Sequence, residues 1–331
     1  MFEQLGQSNR ILIEAELAPI LGERFQPTGF PDIGAATYTL PDGTRKILVE
    51  SAQSVANRLE KTILGPDNEI EPTFQGISYV RAELNGTVNT FTNSLIEAHR
   101  INSPFIISNE DFQQRFMRDA SYQKQMPIDW RKIASALFKY DMNSLLHGVF
   151  LANLEDGRIK VQRAVSGYVE ATNVNEVVSG GVKNNAIDPT GKLRAENYDK
   201  DVYGNVPYHR VEYSAERITA YFNMDLSLLR SYELGEDAFN LLVSLGLYKI
   251  HSFLDNGMRL RTACDLEKRG EISVKSPKGW VLPDVDSLKK AIQELIEKCQ
   301  PLFAKPPVTE LKTKVKVKEK IKEQSGEESE A

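Results

Sequence analysis

Cysteine and histidine are scarce in this sequence. Its 331 residues include two cysteines, Cys264 and Cys299, and four histidines that are far apart along the chain. Two thiols are too few for a disulfide framework, and no Cys or His spacing is typical of a zinc site. We therefore expect free thiols, a reducing compartment such as the cytoplasm, and no metal or other cofactor.

Long apolar runs are also missing. The nearest candidate, residues 241–250, is interrupted by serine, glycine, tyrosine and lysine, whereas a membrane-spanning helix needs about 18 uninterrupted apolar residues. The first ten residues carry acid and amide side chains where a signal peptide has a cationic start and an apolar run. We expect neither export nor a membrane partner.

Neither sign of charge dominates. The chain has 41 Lys and Arg against 46 Asp and Glu, a net charge of -5, with 41% apolar and 26% charged residues. This composition is close to the globular average and excludes wholesale disorder. A nucleic-acid-binding domain is usually basic overall, so any groove that binds nucleic acid must be locally basic.

Enzyme motifs are absent as well. No G-x-S-x-G, no G-x-G-x-x-G and no complete phosphate-binding P-loop occurs. Carboxylates are abundant, but an isolated aspartate in a turn, such as Asp32 or Asp42, more often caps backbone than catalyses a reaction. The sequence requires no enzymatic activity.

What is present is an alternation of strand and helix patterns. The clearest helix covers residues 52–64 with Ser51 as its N-cap, because apolar residues recur there at helical spacing. Residues 92–150 are predicted to form a helical insertion, and residues 306–331 are predicted to be disordered. Further helices are predicted over 236–254 and 285–300, and strands over 10–17, 45–50, 77–88, 160–174, 217–229 and 258–266. This order indicates an α+β, ferredoxin-like sheet with insertions.

Glycine lies beside short polar and basic residues in three places. They are the breaker-rich loop 24–36, the helix start at Ser51, and the aliphatic-poor segment 179–214, which is predicted to be a protruding hairpin. Exposed backbone N–H groups and a helix N-terminus can receive phosphate oxygens. Ordinary caps and hinges explain the same residues, and composition alone favours that explanation.

Four strings in chain order resemble one known family. They are RFQPTGFPD (24–32), VESAQSVANRLE (49–60), VEATNV with SGGVK (169–183) and RLRTACDL (259–266), and the resemblance covers roughly residues 12–266. The sequence resembles the RAMP backbone subunit, of the Cas-seven family, in type I-G CRISPR effector complexes, formerly called type I-U. Each string is short, but their shared order across most of the chain is specific.

The resemblance implies an RRM-like palm over residues 1–305, with a helical finger at about 92–150 and a thumb at about 179–214. Such a subunit is not catalytic. It polymerises head-to-tail along a CRISPR RNA and holds the sugar-phosphate backbone, which leaves the bases free to pair with target DNA. The implied partners are CRISPR RNA, target DNA through the guide, further copies of the chain, the large subunit and the guide-processing or capping subunit.

The resemblance places RNA contacts on the loop, the helix start, the thumb base and one strand. The candidates are Arg24, Gln26, Thr28, Gly29, Ser51, Gln53, Ser54, Asn57, Arg58, Ser179, Gly180, Gly181, Lys183, Asn184, Arg259 and Arg261. The alternatives are a salt bridge for Arg24, a solvated helix face for Gln53 and Asn57, and pairing with Glu14 or Glu16 for the two strand arginines.

Two other functions stay open. A backbone subunit of the type III kind cleaves bound target RNA with a loop aspartate, and Asp32 is the residue that could play this part, although its loop also suits plain turn capping. A small-molecule enzyme on a ferredoxin-like scaffold is the other alternative, because this fold hosts many functions.

Overall fold

The computed structural model describes residues 5–30, 33–86, 89–193 and 204–316. In these ranges the α-helices are α1 (Ala52–Lys61), α2 (Pro104–Ile107), α3 (Glu110–Asp119), α4 (Trp130–Asp141), α5 (Asn143–His147), α6 (Leu226–Ser231), α7 (Glu236–Asp255) and α8 (Val285–Cys299). The strands of the same ranges are β1 (Arg10–Pro19), β2 (Gly29–Phe30), β3 (Gly34–Ala35), β4 (Thr37–Thr39), β5 (Arg45–Glu50), β6 (Tyr79–Gly86), β7 (Thr90–Asn93), β8 (Val149–Phe150), β9 (Lys160–Val161), β10 (Val165–Lys183), β11 (Val206–Asp225), β12 (Met258–Arg261), β13 (Cys264–Ser276) and β14 (Val308–Val315).

The chain divides into two compact units, and the single palm domain over residues 1–305 stays a prediction. The first unit contains Met1–Thr62, Ala164–Leu228 and Val243–Lys290. The second unit contains Ile63–Arg163, Leu229–Leu242 and Ala291–Ala331. The predicted helical insertion falls in the second unit, which has its own sheet and its own aromatic core.

The first unit is built on a seven-stranded antiparallel sheet, in the order β12-β13-β1-β11-β10-β5-β4. Strand β1 alternates strictly: Ile11, Ile13, Ala15 and Leu17 are buried, while the residues between them are more exposed. An alternating strand buries one face, which fixes its register against β11 and β13 on either side. The buried face of this sheet forms the core of the first unit.

Helix α1 packs on the same sheet. Ser51 caps it by accepting a hydrogen bond from the Ser54 amide at 3.2 Å, as the sequence predicts. Val55 and Leu59 are completely buried, and burying a side chain of this size contributes roughly 1.5–3 kcal/mol. The cap and this apolar face place the start of α1 immediately after β5.

Strands β10 and β11 form a long antiparallel ribbon. Their pairing runs from Val165 opposite Met224 to Lys183 opposite Val206. Near the sheet one face of the ribbon is buried, but residues 180–183 and 206–209 are exposed on both faces. The outer part of the ribbon is therefore held by main-chain hydrogen bonds rather than by a core.

The second unit contains a three-stranded sheet in the order β14-β6-β7, with β14 parallel and β7 antiparallel to β6. Helices α3 and α4 bring Phe112, Phe116 and Tyr140 together. The rings of Phe112 and Tyr140 are 5.4 Å apart and nearly perpendicular, an edge-to-face packing that aromatic pairs favour.

The structure confirms the α+β class, while the RRM-like palm stays a prediction. The predicted disorder over 306–331 is wrong for residues 308–315, which form β14 because Thr309 and Leu311 alternate into the core between lysines. Residues 317–331 lie outside the described part of the chain. The predicted strand over 217–229 ends earlier, since Asp225 accepts a hydrogen bond from the Leu228 amide at 2.8 Å and starts α6.

Candidate nucleic-acid interface

The loop from Arg24 to Thr28 is fixed to two strands and one turn of the first unit. Phe25 is completely buried and exchanges two main-chain hydrogen bonds of 2.9 Å with Tyr213 of β11. The Gln26 amide donates to the turn between β12 and β13 at 2.7 Å, and the Thr28 amide donates to β5 at 3.0 Å. These three amides already have acceptors, so any hydrogen bond that residues 25, 26 and 28 donate to a ligand must come from side chains.

This loop forms one wall of a cleft of about 520 Å³. The cleft contains four of the residues predicted to contact RNA, Gln26, Thr28, Gly29 and Arg261. Its lining is Gln26, Pro27, Thr28, Gly29, Gly34, Ala35, Glu176, Val211, Tyr213 and Arg261. Amide, hydroxyl, phenol and guanidinium groups in one cleft suit contacts with sugar and phosphate oxygens.

A buried carboxylate organises the back of the cleft. The Glu50 side chain is 3% exposed and accepts a hydrogen bond from the Arg58 Nε at 3.1 Å. Arg261 also pairs with Glu50, and it donates to the Gln26 carbonyl at 2.8 Å and to the Val49 carbonyl at 3.1 Å. The two arginines therefore hold the loop and the end of β5 together.

The role of these arginines differs from the sequence prediction in its details. Arg261 pairs with Glu50, not with Glu14 or Glu16, and Arg58 also donates to the Leu260 carbonyl at 2.7 Å. Both guanidinium groups are committed to the protein. They position the loop and the end of β5, and only the N–H donors that they do not use within the protein are available to a ligand.

Arg24 lies beside a second cleft, of about 420 Å³. It is 3.4 Å from Glu212, a buried carboxylate that Arg210 approaches to 2.7 Å, so the alternative of a salt bridge for Arg24 is confirmed. The Arg24 side chain is nevertheless 55% exposed. The lining of this cleft is Pro19, Ile20, Leu21, Gly22, Glu23, Arg24, Arg210, Glu212, Thr262, Ala263 and Asp265. This lining has two arginines against three carboxylates, Glu23, Glu212 and Asp265, so the surface has no net positive charge, although the Arg24 guanidinium itself is exposed.

The residues predicted on α1 are near the cleft but not in it. Ser51 and Ser54 form the helix cap. Gln53 donates to the Asn57 side chain at 3.0 Å, and both are exposed, which is the solvated helix face given above as the alternative. Contact of these residues with RNA stays a prediction.

The predicted thumb residues lie along the outer ribbon. Gly180 is required there, because a Cβ atom at this position would be 2.7 Å from the Tyr208 carbonyl oxygen. At 3.3–3.4 Å per residue, Lys183 lies roughly 23 Å along β10 from Glu176 in the cleft. Ser179, Gly181 and Asn184 are on the same outer section, so the structure does not bring this set into the cleft.

The last two predicted positions, Arg259 and Asp32, are not among the residues that line the cleft. Arg259 is exposed in β12 and lies opposite Asp265 in the strand register. Asp32, the candidate for RNA cleavage, lies outside the described residues.

Cys264, which follows the turn beside Arg261, is 1% exposed, and burial raises the pKa of its thiol to about 11.

Sequence reasoning missed the residues that complete both clefts. Glu50, Glu176, Arg210, Glu212 and Tyr213 are all structural partners or lining residues. One signal in the sequence was a carboxylate at a position where the strand pattern predicts a buried side chain. Because a buried charge needs a partner, such a carboxylate indicates that a cationic side chain lies beside it.

The described residues contain neither a metal-binding cluster nor a membrane-spanning helix. No group of three or more His, Cys, Asp or Glu side chains in this part of the chain could hold a metal ion. No helix within the same residues is long and apolar enough to cross a membrane.

The fold and the clefts define an α+β protein whose polar cleft lies at the foot of a long β-ribbon. The family model described as CRISPR-associated protein GSU0053 matches residues 11–176, which include β1, the loop, α1 and the inner part of β10. The chain belongs to this CRISPR-associated family. The predicted resemblance to a CRISPR-associated family is thereby confirmed, while the type I-G subtype stays a prediction.

Three solved structures that match the chain are distant in sequence and have low TM-scores. A chain of a structure titled "CRISPR RNA-guided surveillance complex" is 13% identical, with coverage of 88% of this chain and 83% of that chain and a TM-score of 0.38. A chain of a second structure, titled "CRISPR RNA-guided surveillance complex, pre-nicking", is 12% identical, with coverage of 87% and 89% and a TM-score of 0.35. Csc2 from Thermofilum pendens is 10% identical, with coverage of 91% and 79% and a TM-score of 0.31. No curated protein sequence matches the chain.

Proposed function

We propose that this protein is a non-catalytic, CRISPR RNA-binding backbone subunit of a type I-G surveillance complex. The observation that carries the proposal is the cleft that loop 24–29 forms at the foot of the β10–β11 ribbon, in a chain of a CRISPR-associated family. A guide strand in this cleft contacts polar groups on one side and the ribbon on the other.

The contacts in the cleft are made by side chains. Gln26 and Thr28 donate to phosphate and sugar oxygens, and the exposed part of Arg24 supplies charge. Such contacts position RNA without reading its sequence, so base edges stay free to pair with target DNA. Arg58 and Arg261 act indirectly, because they hold the loop in place through Glu50.

The outer ribbon acts as the thumb. It exposes Val182 and Tyr208 together with Lys183, a combination that suits stacking on bases and contact with a phosphate. Copies then assemble head-to-tail along the guide, with a capping subunit and a large subunit ending the filament. Residues 92–150 serve as the finger in this arrangement.

The test is co-expression of the chain with a CRISPR array and its partner subunits. Purified protein is examined by its absorbance ratio at 260 and 280 nm, and extracted nucleic acid is sized on a gel. We expect one discrete guide-length RNA with the wild type. The double variant Arg24→Ala, Lys183→Ala should retain at least about tenfold less, because charge on the phosphate backbone dominates RNA affinity.

The matched control is Arg269→Ala, Lys278→Ala, which removes the same charge from exposed positions of the first unit. It should retain RNA like the wild type. A nucleic-acid-free wild-type protein in the presence of guide and partners would overturn the proposal. Equal loss in both double variants would overturn the assigned contacts.

A further inference from the structure

The second unit contains a cationic cavity that the proposed guide site does not use. Its volume is about 360 Å³, and it lies between α3, α4 and the start of β14. Its lining is Arg115, Lys139, Tyr140, Ala304, Lys305, Pro306, Val308, Thr309 and Glu310. Three cations and one carboxylate in one cavity favour an anionic ligand.

The nearby carboxylates form an ion pair with only one of these three cations. Asp119 accepts hydrogen bonds of 2.6 Å from Lys139 and from the Tyr140 hydroxyl, so Lys139 is paired. The Arg115 Nε donates to a main-chain carbonyl at 3.4 Å, and its terminal nitrogens have no acceptor among the described residues. Lys305 is exposed and has no partner within the same part of the chain.

A row of lysines continues from the cavity along β14. Glu310 lines the cavity, and the alternate residues that follow it are Lys312, Lys314 and Lys316, all exposed. Alternate residues of a strand share one face and are about 6.7 Å apart. The Lys312 side chain is 82% exposed, and its Nζ forms a long ion pair of 3.8 Å with the Glu83 carboxylate. No acceptor in the described ranges pairs with Lys314 or Lys316.

An exposed aromatic ring lies on the same face of the sheet. Lys312 is opposite Glu83 of β6, and Glu83 is opposite Phe91 of β7, so their side chains form one row across three strands. Phe91 is 53% exposed, and the Arg81 guanidinium lies 4.4 Å from the centre of its ring. Arg81 also pairs with Glu69 at 3.0 Å and lies 3.9 Å from Glu310, so the positive charge without a carboxylate partner comes from Lys314 and from Lys316, one residue beyond β14. Unpaired lysines beside a partly exposed aromatic ring are the pattern of single-strand binding surfaces.

We propose that this face of the second unit is a second binding site for single-stranded nucleic acid. The Arg115–Lys305 cavity holds one phosphate, the lysine row follows the backbone, and Phe91 stacks on a base. The site is distinct from the cleft of the first unit and stands whether or not that cleft binds a guide.

The test uses the guide-free full-length chain and a fluorescently labelled oligothymidylate of about twenty nucleotides, followed by anisotropy between about 50 and 200 mM salt. The site variant carries Arg115→Gln, Lys305→Gln, Lys314→Gln and Lys316→Gln. The control variant carries four Lys→Gln changes at exposed positions that the proposal does not use, namely Lys124, Lys160, Lys278 and Lys290. Both variants change the net charge equally.

The site variant should bind at least about tenfold more weakly than the control, and the slope of log K against log salt should become shallower by about two to three. This follows from about 0.7 counterion released per phosphate contact on single strands. Phe91→Ala should weaken binding by about fivefold or more with an unchanged slope, because stacking is not ionic. Equal affinity and slope in the site and control variants would overturn the second site, and guide retention in the co-expression assay remains an independent readout of the first.

Discussion

Removing the charge of Glu50 is the perturbation that the candidate cleft should tolerate least. The Glu50→Gln variant keeps the side-chain shape but replaces one acceptor oxygen by a donor. Arg58 and Arg261 then face a neutral amide in a site where the original side chain is 3% exposed. The loop carbonyl that Arg261 holds at 2.8 Å loses its anchor as well.

The magnitude follows from burial. Breaking a buried ion pair by removing one partner costs roughly 3–5 kcal/mol, because it leaves an uncompensated charge. The arginine side chains here are 33% and 24% exposed, so solvent screens part of that charge. We expect a loss of about 3 kcal/mol in the free energy of unfolding of the first unit.

The assay is urea unfolding followed by tryptophan fluorescence. The chain has two tryptophans, Trp280 in the first unit and Trp130 in the second, so a Trp130→Phe background reports on the first unit alone. Trp280 is 6% exposed, and unfolding should therefore shift its emission. Unfolding of two units need not be two-state, and a single reporter avoids mixing their transitions.

The matched control is Glu16→Gln, which removes the same charge from an exposed position of β1 and should change stability by less than about 0.5 kcal/mol. Adding Arg261→Gln to Glu50→Gln should cost less than the sum of the two single changes, since contacting residues are not additive. A Glu50→Gln variant within about 0.5 kcal/mol of the wild type would refute the organising role of this carboxylate.

Three further outcomes are expected. Burial raises the pKa of Cys264 to about 11 and of Cys299 to about 12, so at pH 8 at most about one thiol in a thousand is ionised. A thiol reagent should therefore label both cysteines only after denaturation. Rapid labelling of the native protein would contradict this. Gly29→Ala places a Cβ atom 2.7 Å from the Gly34 carbonyl oxygen, so it should open the β2–β3 pair and reduce guide retention in the co-expression assay, and wild-type retention would argue against a role for this wall. Asp119→Asn should cost about 1–3 kcal/mol in urea unfolding. Burial acts to raise the pKa of Asp119, but hydrogen bonds from Lys139 and Tyr140 outweigh it and lower that pKa, so the stabilisation is present above about pH 4 and is lost as pH falls through the folded value. The variant should therefore lose less stability than the wild type between pH 6 and pH 3, and equal losses would contradict the assignment.

Local signals in the sequence were sufficient to predict several helices and strands. Ser51 and the apolar spacing after it predict α1, because a cap and a helical stripe are both encoded within a dozen residues. The alternation in β1 is equally local. By contrast, the outer ribbon has polar and glycine residues on both faces, so it lacks the period-two apolar pattern that identifies a strand.

The organisation of the cleft depends on contacts that are distant in sequence. Glu50 and Arg261 are 211 residues apart, and nothing near either residue indicates the other. The sequence therefore predicts Arg58 and Arg261 as RNA contacts when their donors largely serve the protein. The sequence also fails to predict strand β14. Its alternating lysines have the composition of a disordered tail, although Thr309 and Leu311 between them are buried.

Photocrosslinking tests the proposed guide cleft most directly. Guide RNA that carries photoreactive thiouridine is loaded during co-expression, irradiated and digested, and the crosslinked peptides are identified by mass spectrometry. Crosslinks should occur in the peptide with Gln26 and Thr28, at Tyr213 in the cleft, and at Tyr208 on the outer ribbon. A loaded complex whose crosslinks avoid all of these positions would contradict the assignment of the cleft as the guide site.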